Sequence, residues 1–120
     1  MLPLSEEMLE AAYEYLRTTP PFNKWNLPDG EDIRFHVVRA RDCFAKYQRD
    51  GDLHHISVSI SSVAHSDTLI EKMAHEMVHL HLELTGSESK SKSPSIHNAA
   101  FRKYATRICQ IHGWDPKGFY

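Results

Sequence analysis

At 120 residues the chain has the length of one domain, and we expect a single domain over residues 1–120. Its content of 41% hydrophobic and 25% charged residues is typical of an ordinary soluble globular protein. The formal net charge of −2 gives no general electrostatic basis for binding nucleic acid or an anionic membrane.

The sequence favours a reducing, cytoplasmic compartment. The first residues lack the basic and apolar regions of a secretory signal, and no apolar run approaches the length that spans a membrane. Cys43 and Cys109 are isolated, without a C-x-x-C pair, so neither a disulfide framework nor a zinc ribbon is predicted. We expect no membrane partner.

The first predicted element is an amphipathic helix over residues 5–17. Ser5 is placed to cap this helix, and Leu4 and Leu9 have the spacing of a hydrophobic staple. Residues 22–30 are predicted to form a loop because prolines precede them and no apolar periodicity runs through them.

Three β-strands are predicted next. Residues 33–38 are rich in β-formers, residues 42–48 alternate less cleanly, and residues 49–52 have the Asp-Gly pair of a hairpin turn. The third strand, residues 55–61, places serines on one face and three apolar side chains on the other, namely Ile56, Val58 and Ile60. We expect this strand to border a cleft and to pair with a peptide backbone, because an extended peptide can add to a free strand edge.

A long helix, capped by Asp67 or Thr68, is predicted to follow and to carry His75–His79, which reads H-E-M-V-H. Residues four apart lie one above the other on a helix face, about 6 Å apart along the axis. Two histidines at this spacing can therefore bind one metal ion, usually zinc. Glu76 follows the first histidine directly, where its carboxylate can take a proton from water at the metal.

Apolar residues surround most of this helix, so we expect it to be buried. Burial of two histidines and a glutamate without partners is costly, and a bound cation offsets that cost. The alternative is a chance H-E-x-x-H on a solvated helix face, with histidines that bind nothing. The apolar surroundings argue against that alternative.

The C-terminal third begins with a polar run over residues 87–94, which is predicted to be a surface loop. Its lysines are weak grounds for a contact with phosphate or nucleic acid. The last helix is predicted from residue 96 to Gly113, because glycine is favoured just after a helix. The aromatic side chains of residues 114–120 are expected to dock on the body.

His97 is the best candidate for a third metal ligand, since catalytic zinc usually has three protein ligands and one open position. It lies at the predicted start of the last helix, in register with that helix's inward-facing stripe. The alternative for His97 is a histidine bonded only to backbone. His81 points to nearly the opposite side of the helix from His79, and Glu83 lies too far from His75 to bind the same ion.

Other polar residues have possible supporting roles. Glu83 is placed to orient His79, and Glu71 is placed to orient His75. Three further side chains are conceivable oxyanion stabilisers that the sequence does not rank, namely Tyr104, His112 and Tyr120. The predicted chemistry is hydrolysis of an amide, in which zinc polarises the carbonyl and Glu76 acts as the general base.

The segment Asp67–His79, followed by the segment His97–Phe101, resembles the SprT-like zinc metallopeptidases, the family of Spartan-type proteases. That family pairs H-E-x-x-H with a later H-G-x-x-F segment. The resemblance implies zinc ligands at His75, His79 and His97, a catalytic base at Glu76 and a packing aromatic at Phe101, over roughly residues 33–111. It also implies a protein or peptide substrate, with DNA as a possible partner.

Two features depart from the family pattern: Asn98 stands where the family has glycine, and the zinc ribbon found in many relatives is missing. An ImmA/IrrE-like regulatory peptidase is the alternative enzyme, although its third ligand is acidic. A non-catalytic zinc-binding interaction module is the alternative outside enzymes, although it has no use for Glu76.

The order of the elements predicts the fold class. Sequential strands precede two strong helices without βαβ alternation, which is typical of an α+β fold. We therefore expect a small, mostly antiparallel three-stranded sheet packed against helices, with a zincin-like metal helix.

Overall fold

The computed structural model describes residues 4–39, 45–60, 66–88 and 97–120. The fold is α+β, as predicted, with a three-stranded sheet and helices. The elements in chain order are α1 (Glu6–Arg17), β1 (Ile33–Val38), β2 (Ala45–Asp50), β3 (Leu53–Ser59), α2 (Ser66–Thr85), α3 (Ala99–His112) and the short α4 (Pro116–Phe119). No helix of the described residues is both long and apolar enough to cross a membrane.

Helix α1 forms as the sequence predicts. The Ser5 hydroxyl accepts a hydrogen bond from the Met8 N–H at 3.3 Å and so caps the first turn. Leu4 and Leu9 are both buried, as the predicted hydrophobic staple requires. Helix α1 packs against α2 and β1 and closes one side of the core.

The sheet is mixed, and the prediction of a mostly antiparallel sheet is wrong. The strand order is β1-β3-β2, in which β3 pairs parallel with β1 and antiparallel with β2. Ile56 and Val58 of β3 are fully buried, whereas Arg49 and Asp50 of β2 are exposed. An apolar strand gains most from the centre of a sheet, and a charged strand suits an edge.

Because β3 has a partner strand on both sides, it has no free edge for a peptide. The prediction that residues 55–61 pair with substrate backbone is therefore wrong for the part that the structure describes. The hairpin turn is confirmed: Gly51, at φ +60°, and Asp52 join β2 to β3. Residues 42–44 of the second predicted strand lie outside the described residues.

Helix α2 is the central element, in contact with α1, β2, β3, α3 and α4. It begins at Ser66, so Asp67 and Thr68 belong to its first turn, and the contacts that would test the predicted cap lie outside the described residues. From Lys72 to Leu82 every residue is buried. This burial confirms the expectation drawn from its apolar surface.

Helix α3 begins at Ala99, later than predicted, because Asn98 caps it by accepting a hydrogen bond from the Phe101 N–H at 2.9 Å. His97 therefore precedes the helix instead of lying in its first turn. Gly113 ends α3 in the left-handed conformation at φ +74°, as predicted. The tail also docks as predicted, with Phe119 fully buried.

Candidate metal centre

The structure brings the three predicted ligands together. One nitrogen from each of His75, His79 and His97 lies within 4.8 Å of the others. The ring centroids of His75 and His79 are 5.2 Å apart, and that of His97 lies 4.9 and 5.4 Å from them. One turn of α2 supplies the first two rings, and the residue before the cap of α3 supplies the third.

The outer nitrogens of the two helical histidines have protein partners. His75 Nδ1 lies 3.0 Å from the carbonyl oxygen of Phe119, and His79 Nδ1 lies 2.7 Å from a carboxylate oxygen of Glu88. Both partners accept, so Nδ1 carries the proton and Nε2 keeps its lone pair for a metal. The predictions that Glu71 orients His75 and that Glu83 orients His79 are therefore wrong.

The polar atoms of the site fit a metal ion. His97 Nε2 is buried and has no hydrogen-bond partner among the described residues, which is unfavourable unless another group binds it. Nitrogens bound to one tetrahedral zinc at about 2.0–2.1 Å lie about 3.3 Å apart. From at most 4.8 Å, the three rings need to turn by only about 1 Å each to meet one ion.

Burial favours the neutral form of two of these imidazoles, those of His75 and His97. Burial, followed by repulsion between the protonated forms of His75 and His79, lowers the pKa of His75 to about 3. Burial likewise lowers the pKa of His97. Only a neutral imidazole can bind a metal, so these two side chains hold the required form at neutral pH.

Glu76 lies beside the triad on the same helix. One of its carboxylate oxygens is 3.8 Å from His75 Nε2, and the residue is 4% exposed. The carboxylate accepts a hydrogen bond from the Tyr47 N–H, and burial raises its pKa to about 7. This places a weakly acidic carboxyl group next to the nitrogen that faces the metal position.

Phe101 forms the floor of the site. It is fully buried, and its ring centroid lies 4.9, 4.6 and 4.2 Å from those of His75, His79 and His97. One rigid ring thus contacts all three imidazoles and limits their rotation. The prediction of a packing aromatic at this position is confirmed.

The tail forms one wall of the site. Lys72 Nζ donates to the carbonyl oxygen of Gly118 at 2.8 Å, one residue before the carbonyl that orients His75. The Tyr120 ring lies 5.3 Å from His97. Of the three conceivable oxyanion stabilisers, Tyr120 is therefore the one that the structure places against the triad.

The remaining candidates lie elsewhere. His81 stacks on Trp25 at 4.1 Å, on the opposite side of α2 as predicted, and Tyr104 packs against the same pair. His112 Nε2 donates to the carbonyl oxygen of Pro20 at 2.9 Å.

Both histidines of β3 have a hydrogen-bond partner. His54 is buried, with its Nδ1 2.6 Å from the Tyr47 hydroxyl, and His55 is hydrogen-bonded to His36 at 2.9 Å. His65 lies outside the described residues.

Sequence reasoning missed three supporting groups: the backbone N–H of Tyr47, the carboxylate of Glu88 and the carbonyl of Phe119. Two of these are backbone atoms, which leave no trace in residue type. Glu88 stood within a polar run with the composition of an ordinary surface loop, so nothing in its local sequence distinguished it.

Comparison with protein-family models and with curated proteins finds no match to this chain.

Proposed function

We propose that the protein is a zinc-dependent endopeptidase of the SprT-like kind, with ligands His75, His79 and His97 and the general base Glu76. The observation that carries the proposal is the close approach of three histidine nitrogens beside a buried carboxylate, with the Nε2 of His97 buried and unpartnered in the part of the chain that the structure describes. A site that only holds metal gains nothing from burying a carboxylate there, since burial of a charge is unfavourable.

The three histidines would hold a zinc ion, which would supply Lewis acidity toward a peptide carbonyl and toward water. The chain's own groups do the rest. Glu76 accepts the proton of the attacking water and later delivers it to the leaving amine. The Tyr47 N–H holds the Glu76 carboxylate in place, and the wall formed by Phe119 and Tyr120 excludes solvent from one side.

The edge of β2 is the proposed place for an extended substrate. Within the described residues β2 has a partner strand on one side only, and its Tyr47 N–H is hydrogen-bonded to the Glu76 carboxylate. A peptide paired with this edge would lie close to the general base, because the edge strand itself contacts Glu76. Pairing with substrate backbone, which was predicted for β3, is therefore proposed for the edge of β2.

A non-catalytic zinc module is the second candidate, and one observation favours it. Glu76 already has a hydrogen-bond partner in Tyr47, so a structural role for its carboxylate accounts for part of its environment. The ImmA/IrrE-like alternative gains no such support. Its acidic third ligand has no counterpart in the His75, His79 and His97 group, and Glu88 contacts the outer nitrogen of His79.

The test is proteolysis by the zinc-loaded protein. We expect cleavage of an unfolded protein such as casein, its loss on removal of zinc with a chelator, and its return when one equivalent of zinc is restored. Each reaction is run with and without DNA, which examines the partner implied by the family resemblance. A chain that binds zinc but cleaves neither casein nor a broad peptide library under any of these conditions would support the non-catalytic module instead.

A further inference from the structure

The chain leaves α2 in a turn that brings Glu88 back against the helix. Gly86 has φ +74°, a left-handed conformation that favours glycine, and its N–H donates to the Glu83 carbonyl at 3.3 Å. The Ser87 N–H donates to the Leu82 carbonyl at 2.8 Å, which completes the turn. Glu88 is the next residue, and it therefore lies beside the last turns of α2.

Glu88 contacts His79, the second ligand of the metal centre. Its carboxylate oxygen is 2.7 Å from His79 Nδ1, and the two side chains are 19% and 10% exposed. A carboxylate at this distance accepts a hydrogen bond from Nδ1–H. This bond fixes the plane of the ring and strengthens Nε2 as an electron-pair donor to a metal. In the described residues this is the contact that determines which nitrogen of His79 faces the triad.

Asn98 links the same turn to the third ligand. Its side-chain oxygen accepts from the Phe101 N–H at 2.9 Å, and its side-chain nitrogen donates to the Ser87 carbonyl at 2.8 Å. The residue before it is His97, whose carbonyl accepts from Arg102 at 2.6 Å. One amide side chain therefore caps α3, holds the residue before Glu88 and adjoins a metal ligand.

We propose that Glu88 is a positioning residue of the metal centre and that Asn98 holds it in position. The inference rests on the metal centre of the proposed function. Glu88 sets the orientation and donor strength of His79, and the bond from Asn98 to Ser87 fixes the turn that carries Glu88. The second ligand, from α2, and the third ligand, from the residue before the cap of α3, are thereby set by one hydrogen-bonded unit.

The test measures the affinity of the metal-free full chain for Zn²⁺ by competition with a chromophoric chelator. Glu88→Ala should weaken binding about 10- to 100-fold. Glu88→Gln should lose less, because its amide oxygen still accepts from Nδ1. Glu83→Gln is the matched control: Glu83 lies on α2 and pairs with Arg49 at 3.4 Å, so its loss should leave zinc affinity unchanged.

Asn98→Asp separates the two bonds of Asn98. The carboxylate still caps α3 but cannot donate to Ser87, so the unfolding temperature of the metal-free chain should be retained. Zinc affinity should fall about 2- to 10-fold. In the Glu88→Ala background the same change should add no further loss, because both act through Glu88.

A second readout distinguishes positioning from general stability. In the Co²⁺-substituted protein, the visible absorption of the metal should shift in Glu88→Ala and stay as in wild type in Glu83→Gln. Equal zinc affinity for wild type and Glu88→Ala overturns the role of Glu88. Additive losses in the Asn98→Asp and Glu88→Ala double variant overturn the link between them.

These outcomes are separate from those of the proposed function. A wild-type chain that does not bind Zn²⁺ contradicts both. A chain that binds Zn²⁺ without cleaving peptides contradicts only the peptidase, and the variant affinities still decide the role of Glu88.

Discussion

Removal of His97 should abolish most of the stabilisation that zinc gives while leaving the metal-free fold largely intact. In His97→Ala the stack on Phe101 is lost, but so is the buried Nε2, which has no partner within residues 4–39, 45–60, 66–88 and 97–120. The first effect destabilises the metal-free chain and the second stabilises it by about 1–3 kcal/mol, so the two partly cancel. The expected change concerns the metal.

The magnitude follows from the number of ligands. Structural zinc sites with four ligands bind with about 10–16 kcal/mol, or about 3 kcal/mol per ligand, so loss of one ligand should weaken binding about 100-fold. At free zinc 1,000 times the wild-type Kd, zinc stabilises the wild type by about 4.1 kcal/mol and His97→Ala by about 1.4 kcal/mol. For 120 residues the unfolding entropy is about 250 cal/mol/K, so the zinc-dependent rise in Tm falls from about 16 °C to about 6 °C.

The assay is thermal unfolding with and without zinc, and His81→Ala is the control. His81 is a buried histidine of the same helix, but it stacks on Trp25 away from the triad. We expect its variant to melt at a lower temperature yet to keep the full zinc-dependent rise. An equal rise in His97→Ala and His81→Ala would show that His97 is not a ligand.

Two further predictions concern stability. Phe101→Ala should lower the free energy of unfolding by about 3–5 kcal/mol, because the ring is fully buried. Substitution of the exposed Ile111 by alanine should change it by no more than about 0.5 kcal/mol. Equal losses for the two variants in denaturant titrations would refute the role of Phe101 as the floor. Burial lowers the pKa of His54 from its usual 6.5. As the pH falls through about 6.5, the unfolded chain therefore binds more protons than the folded chain, and the free energy of unfolding decreases. In metal-free protein the loss between pH 7 and 5 should be smaller in His54→Gln, and an unchanged pH slope would exclude His54 as a source of it.

The candidate ligands could be predicted from the sequence because a helix converts spacing into proximity. His75 and His79 are four residues apart, and the helix period alone places them on one face. His97 was harder, since 17 residues separate it from His79. The prediction placed His97 at the start of a helix. In the structure Asn98 is the N-cap of α3, so His97 reaches the triad from the residue before that cap.

The sheet shows what periodicity leaves open. Alternation along residues 33–38 and 55–61 indicates which side chains face the core, and it is silent on which strands are neighbours. The parallel pairing of β1 with β3 depends on the path of the whole chain between them. The composition of the strands could have indicated their order. Strand β2 carries Lys46, Arg49 and Asp50, as an edge strand does, whereas β3 carries buried aliphatic residues, as a central strand does.

The groups that orient the candidate ligands are harder to predict from the sequence than the ligands themselves. The orientation of His79 depends on Glu88, which approaches it only because Gly86 turns the chain back. A helix-spacing argument selected Glu83 for that role, but its carboxylate pairs with Arg49 instead. Contacts made across a turn depend on backbone conformation, so residue spacing along a helix cannot supply them.

The most direct test of the central claim is the cleavage rate of zinc-loaded Glu76→Gln. Glutamine has nearly the volume of glutamate and can still accept the hydrogen bond from the Tyr47 N–H, so the fold and zinc content should match those of the wild type. It cannot accept a proton from water, and the rate should therefore fall at least about 10²- to 10⁴-fold. A zinc-loaded Glu76→Gln that cleaves as fast as the wild type would contradict the proposed mechanism.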